Sequence, residues 1–147
     1  MKTEPQNFSI TDLQNETNQS TTWDGVRNYQ ARNFMRDEMK KGDLVLFYHS
    51  SCKEVGIAGI AIVSKESHPD LSALDSKSKY FDPKATKDEP RWYMVDVKWK
   101  KTFKRIITLA ELKENTQLQE MKLLKKGNRL SIMPVTKSEF NIILDLV

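Results

Sequence analysis

The sequence predicts an α+β domain: a small curved mixed sheet or partial barrel, with short helices packed outside it. Three observations predict this. Four stretches, Asp43–His49, Gly56–Ser64, Arg91–Phe103 and Asn128–Val135, have the length and β-branched or aromatic content of strands. Short segments with helical periodicity and cap residues are interleaved with them. Most of the strands are apolar on both sides, which suits a sheet covered by helices rather than one open to water.

Taken in order, the chain opens with KTEP, where Pro5 favours extended backbone. Ser9 and Asp12, followed by Leu13, predict a short capped helical turn. Asn15–Thr22, NETNQSTT, reads as a polar loop without core residues. Thr22–Met35, TWDGVRNYQARNFM, reads as a turn leading into a helix. Gly25 permits the bend, and Ala31, Phe34, Met35 and Met39 then recur at helical spacing. Lys40 and Lys41 suit the helix end and Gly42 its closure.

Asp43–His49 reads as a central strand, with Leu44, Leu46 and Tyr48 on one side and Val45, Phe47 and His49 on the other. Ser50–Glu54 is a polar turn. In Gly56–Ser64 the small residues Gly56, Ala58, Gly59 and Ala61 admit another backbone or a flat ligand, and barrel curvature is the favoured reading. Ser67–Pro90 is the longest irregular region, with Tyr80 and Phe81 ahead of a turn at Asp82 and Pro83. Arg91–Phe103 alternates Tyr93, Val95, Val97 and Trp99 against Trp92, Met94, Asp96 and Lys98, and Ile106 and Ile107 add a further short strand. Thr108 with Glu111, and Thr136 with Glu139, form T-x-x-E capping boxes. Between them a helical stretch runs through Met121, Leu124 and Lys125 to Gly127. Pro134 puts the last strand at an edge or strand end, and the closing helix turns Phe140, Ile143 and Leu144 inward.

The 147 residues suffice for one domain, residues 1–147, with a real core. No apolar run is long enough to span a bilayer, and MKTEPQNF has no signal-peptide core, so the expected location is the cytosol, or the nucleus in a eukaryote, with no secretion and no membrane partner. The single cysteine, Cys52, agrees with a reducing compartment. A net charge of +4 is compatible with a nucleic-acid partner.

Chemically, the organising stretch is TWDGVRNYQARNFM. Trp23, Asp24, Arg27, Asn28, Tyr29, Gln30, Arg32 and Asn33 combine flat apolar faces with directional donors and acceptors, and none is an obvious nucleophile or metal ligand. A planar ligand with polar edges, such as a nucleobase, suits the mixture. The plainer reading is that Trp23 and Tyr29 are core aromatics and Arg27 a salt-bridge partner. Catalytic readings find little support. His49 and Ser50 diverge on a strand and need a third orienting group from elsewhere. One Cys and two His have no metal-binding spacing, and GIAGIA lacks the lysine and spacing of a phosphate loop.

KTEP with FSITDL, then TWDGVRNYQARNFM, GDLVLFYHS, GIAGIA, HPD, KYFDPKA, RWYMVDV and RLSIMPVTKSEF resemble the EVE domain family, in that family's order and over nearly the whole chain. The resemblance implies a PUA-like open β-barrel flanked by short helices, with kinship to YTH and ASCH domains. EVE domains usually begin with a short strand of the type YWL; this chain starts at Met1-Lys2, so the resemblance implies a truncated first strand. It also implies a non-enzymatic module that reads a modified base, such as 5-methyl- or 5-hydroxymethylcytosine, in DNA or RNA, without a cofactor. The ligand-binding residues carried over are Trp23, Val26, Arg27, Asn28 and Tyr29, beside them Tyr48, His49 and Ser50, and Arg129, Ser131 and Pro134. Phosphates would be steered by Arg32, Lys40, Lys41, Lys98, Lys100, Lys101, Lys104 and Arg105, against the plainer reading of a solvated charged face. A nucleoside sensor using the same pocket and an enzyme acting on a base are the alternatives. An effector protein is a further candidate partner, and a monomer is the favoured state.

Overall fold

The computed structural model describes residues 1–147. Its strands are β1 (Lys2–Thr3), β2 (Ser20–Thr22), β3 (Leu44–His49), β4 (Gly56–Pro69) and β5 (Tyr93–Thr108). Its helices are α1 (Ile10–Asn15), α2 (Tyr29–Asp37), α3 (Leu109–Glu114) and α4 (Lys137–Asp145). The strands form one open sheet in the order β1-β3-β4-β5-β2. β1 lies parallel to β3, and the other pairings are antiparallel. This is the α+β class expected, and no helix is long and apolar enough to cross a membrane.

β4 and β5 are the spine. Their register shifts at four places, and each bulge adds bend and twist. Gly59 sits at one of them, where an added β-carbon would stand 2.2 Å from the Lys101 carbonyl oxygen. The close approach at this small-residue strand is therefore the neighbouring backbone, and it serves curvature.

The two sides of the sheet carry separate cores, because side chains alternate along a strand. One contains Val45, Phe47, Ala61, Val95 and Val97 with Leu13 of α1, Met35 of α2, and Trp23 and Val26. The other contains Leu46, Tyr48, Ile57 and Ile107 with Leu112 of α3, Leu118, Met121 and Ile143 of α4. Local signals set the helix starts. Ser9 and Asp12 close a reciprocal capping box on α1, and Thr136 and Glu139 do the same on α4.

Several expectations need correction. The supposed polar loop before Trp23 contains β2, an edge strand whose Ser20, Thr21 and Thr22 pair with Lys98, Val97 and Asp96. α2 ends at Asp37, so Met39, Lys40, Lys41 and Gly42 lie beyond it in the turn to β3, although Met39 is still buried. Ile106 and Ile107 continue β5 rather than starting a new strand. At α3 only half the capping box forms: Thr108 accepts from the Glu111 N–H, while the Glu111 carboxylate takes both arms of Arg105 at 2.8 Å. The stretch to Gly127 holds two 3₁₀ turns, Thr116–Leu118 and Lys122–Leu124. Asn128–Val135 is not a strand; its link to the sheet is the Lys2 N–H donating to the Ser131 carbonyl at 2.8 Å, with Ile132 buried in the core. On α4, Ile143 faces inward but Leu144 is exposed.

Candidate functional site

The site is assembled where β2 gives way to the turn before α2. The Trp23 N–H donates to the Val95 carbonyl at 2.8 Å, extending the β2–β5 pairing by one residue. Gly25 then turns the chain at φ +81°, and its N–H donates to the Asp70 carboxylate at 2.8 Å. The segment from Trp23 to Val26 is thus held from both ends. The indole of Trp23 is 9% exposed and meets Phe8 and Phe47 edge-on, at 6.5 and 5.7 Å between ring centres.

Over this turn lies a polar pocket of about 520 Å³, well inside the ~300–1,000 Å³ typical of small-molecule sites. Its walls come from β1 and the segment after it (Lys2, Thr3, Glu4, Asn7, Phe8), the end of β2, Trp23–Val26, Ser50, Lys79–Tyr80, and Arg129 with Ser131. Many of its polar groups are unengaged. Lys2, Lys79 and Arg129 form no salt bridge; Lys2 and Lys79 lie instead over the rings of Tyr48 and Tyr80. Burial lowers the pKa of Lys2. Asp24 has no partner beyond its own backbone; desolvation and the Asp70 carboxylate raise its pKa. Trp23 Nε1 makes no hydrogen bond within the protein and is not fully sealed from solvent.

One wall is carried by the long irregular segment between β4 and β5, and Arg27 pins it. The guanidinium donates to Asp70 at 3.0 Å, to the Tyr80 carbonyl at 2.8 and 3.2 Å, and to Ser72 at 3.3 Å. Asp70 is fully buried. Burial alone would raise its pKa, but hydrogen bonds from Ser72, Gly25 and Arg27 together hold it below the ordinary value. Further along, Asp82 accepts from Trp92 Nε1 at 2.7 Å and pairs with Arg91.

Of the residues expected at the site, Trp23, Val26, Ser50, Arg129 and Ser131 line this pocket. The others are placed elsewhere. Arg27 is engaged as described. Asn28 caps α2, accepting from the Ala31 N–H at 3.0 Å. Tyr29 stacks on Trp92 and accepts a hydrogen bond from Arg91. His49 is buried, and its Nε2 accepts from the Ile10 N–H at 3.1 Å, so this ring nitrogen holds down the start of α1. Tyr48 points into the opposite core from Trp23, so the two rings do not face one ligand. Tyr48 and Pro134 instead line an apolar groove of about 560 Å³ with Leu44, Leu46, Met121 and Phe140. That groove is slightly larger, but its apolar walls offer few groups to read a polar ligand, so the Trp23 pocket is the better candidate.

Among the expected phosphate-steering residues, Arg32 donates to the Arg91 carbonyl and to Asn33, and Arg105 is held by Glu111. Lys40, Lys41, Lys98, Lys100, Lys101 and Lys104 are exposed and outside the pocket lining. Lys98 comes nearest, two ladder positions from Thr22. Sequence reasoning did not assign Lys2, Lys79, Tyr80 or Asp70 to the site. HPD and KYFDP, which contain three of them, were visible as motifs, but nothing in the chain order brings them to Gly25.

His68 Nε2 lies 2.8 Å from Asp96, a cross-strand pair outside the pocket. No cluster of three or more His, Cys, Asp or Glu side chains is arranged to hold a metal ion.

Fold and pocket together define a small α+β domain with a cation-lined polar concavity at one corner of its sheet. The chain belongs to the EVE domain family, which matches residues 1–146. It is 45% identical to human thymocyte nuclear protein 1 over 163 aligned positions, which cover 99% of this chain and 72% of that protein. A protein from Pseudomonas syringae superposes with a TM-score of 0.94 at 49% identity, covering 99% of this chain and 96% of that one. The human protein, solved in complex with 5-methylcytosine-containing DNA, superposes with a TM-score of 0.93 at 45% identity, covering 99% and 94%.

Proposed function

We propose that this chain is a non-enzymatic DNA-binding module that takes a modified cytosine into the pocket beside Trp23. The observation that carries the reading is the set of polar side chains lining it: three cations without salt-bridge partners, the Asp24 carboxylate, which bonds to no other residue, and Trp23, whose indole N–H has no partner within the protein. The DNA complex of the human relative supports the same reading.

The base leaves the stack, or comes from a single strand, at a cost of about a few kcal/mol. Lys2, Lys79 and Arg129 offset it by neutralising flanking phosphates. Lys98 extends that track along β5. Trp23 contributes an edge and a wall rather than a full stacking platform, because most of its face is buried against Phe8 and Phe47. The half-buried ring of Tyr80 is the other aromatic surface available in the pocket. A methyl on C5 gains only about 0.8 kcal/mol by burial, so preference for the modified base needs close packing around that position.

Titration with matched oligonucleotides carrying cytosine, 5-methylcytosine, 5-hydroxymethylcytosine or N6-methyladenine, in DNA and RNA backbones, tests the proposal. Affinity for a modified cytosine above plain cytosine is expected, with both affinities lowered by similar factors in Arg129→Ala. Equal weak binding to all strands, falling only with salt, would contradict it. Tight binding of the free nucleoside without any gain from phosphates would favour a nucleoside sensor.

A further inference from the structure

Two adjacent residues that line the pocket, Trp23 and Asp24, have side chains that bond to no other residue. The Asp24 carboxylate lines the pocket and bonds only to its own backbone. Beside it, the Trp23 indole N–H has no partner within the protein and is not fully sealed, on a residue that lines the same pocket. The backbone carrying both is rigid, fixed by the Val95 carbonyl on one side and the Asp70 carboxylate on the other. Asp24 is exposed, so its carboxylate is hydrated until a ligand edge takes the place of that water, while the fixed backbone sets where the edge is met.

We infer that Asp24 is the residue that tells a cytosine from a thymine, its carboxylate accepting a hydrogen bond from the exocyclic N4 amine. This deepens the base-reading proposal and rests on it. The chemistry requires such a group. 5-Methylcytosine and thymine carry the same C5 methyl and nearly the same outline, so packing around the methyl cannot separate them. They differ at position 4, where cytosine offers an N–H donor and thymine a carbonyl acceptor. An ionised carboxylate is acceptor-only: it pairs with the first and repels the second. The indole N–H of Trp23 complements it, since the rest of cytosine's Watson–Crick edge, N3 and O2, is acceptor. Partial desolvation and the Asp70 carboxylate raise the pKa of Asp24, against the Arg27 and Lys79 charges, although the residue is exposed.

Single-stranded oligonucleotides with one central 5-methylcytosine, thymine, cytosine or uracil, titrated against the wild-type chain and Asp24→Asn, give the test. The amide of asparagine has the same shape but both accepts and donates. Wild type should prefer 5-methylcytosine to thymine and cytosine to uracil. Asp24→Asn should reduce both ratios by about tenfold or more and leave the 5-methylcytosine-to-cytosine ratio unchanged. A residue with only a structural role would lower all four affinities together. Unchanged 5-methylcytosine-to-thymine and cytosine-to-uracil ratios in Asp24→Asn would overturn the inference while base reading stood. Loss of the methyl preference in wild type, with the cytosine-over-uracil ratio still dependent on Asp24, would overturn the modified-base reading and leave the inference standing.

Discussion

The ring of Tyr80 rests on the α-carbon face of Gly25: a β-carbon built there would stand 2.5 Å from the ring. Gly25 also has φ +81° and gives its N–H to Asp70. One residue therefore joins the β2 turn to the segment between β4 and β5, and the pocket lies at that seam.

Gly25→Ala should disrupt the seam. The substitution meets both a positive φ, at a cost of about 1–2 kcal/mol, and the Tyr80 ring. The expected result is a chain destabilised by at least about 1 kcal/mol, with a larger fractional loss of DNA affinity than of stability as Tyr80 is displaced. Chemical denaturation and binding titration on the same sample check it.

Asp70→Ala should cost more. It strips the buried partner from Arg27, Gly25 and Ser72, and breaking a buried charge pair on one side costs about 3–5 kcal/mol. Because the folded carboxyl sits below its ordinary value of 3.8, its contribution is fully present above that value. It is lost as pH falls through the lower folded value. The acid limb of the stability profile should therefore be shallower in Asp70→Asn than in wild type, as measured by denaturant midpoints between pH 2 and pH 6 (~two units either side of the ordinary value).

Arg129→Ala and Lys79→Ala should weaken duplex binding by similar factors whether or not the cytosine is modified. Each should also lower the slope of log K against log salt by about 0.9. Lys104→Ala, far along β5 and outside the pocket lining, should leave the slope unchanged. A salt series for the three variants decides whether phosphates are held at the pocket or along the strand.

His49→Ala should act on stability and leave base preference alone. It removes the acceptor of the Ile10 N–H, and an orphaned buried donor costs about 1–3 kcal/mol. Burial lowers the His49 pKa, with Asp12 opposing in part, so the folded ring stays neutral where the unfolded one protonates. Its contribution is full above the ordinary value of 6.5 and declines as pH falls toward the folded value. His49→Gln, which keeps an acceptor but does not titrate, should lack that part of the decline in urea midpoints taken across this range.

Much of the fold was legible because its signals are local. The capping boxes at Ser9 and Thr136 lie within four residues, and β3, β4 and β5 announce themselves by composition. What escaped depends on partners distant in the chain. β2 is polar Ser-Thr-Thr and is a strand only because β5 offers Asp96–Lys98. RLSIMPV has strand-like content, but a single backbone bond ties it to Lys2. The site shows the same division. Trp23, Arg129 and Ser131, expected from the sequence, line the Trp23 pocket, whereas Asp70 and Tyr80 reach Gly25 and Arg27 from 43 or more residues away. Tyr48 lies on the opposite face of β3 from Phe47, and it is the Phe47–Trp23 contact, between residues distant in the chain, that sets it apart from the Trp23 pocket.

The indole N–H resonances of the three tryptophans report directly on whether a modified strand engages the Trp23 pocket. Trp92 Nε1 donates to Asp82 and Trp99 Nε1 to Thr102, so among the three only that of Trp23 is free to meet a ligand. In a ¹H–¹⁵N titration with a 5-methylcytosine oligonucleotide, the Trp23 indole signal should shift strongly while the other two stay nearly fixed. The same strand with plain cytosine should shift it less at equal concentration. A modified strand that binds but leaves the Trp23 indole signal in place would contradict the pocket assigned here.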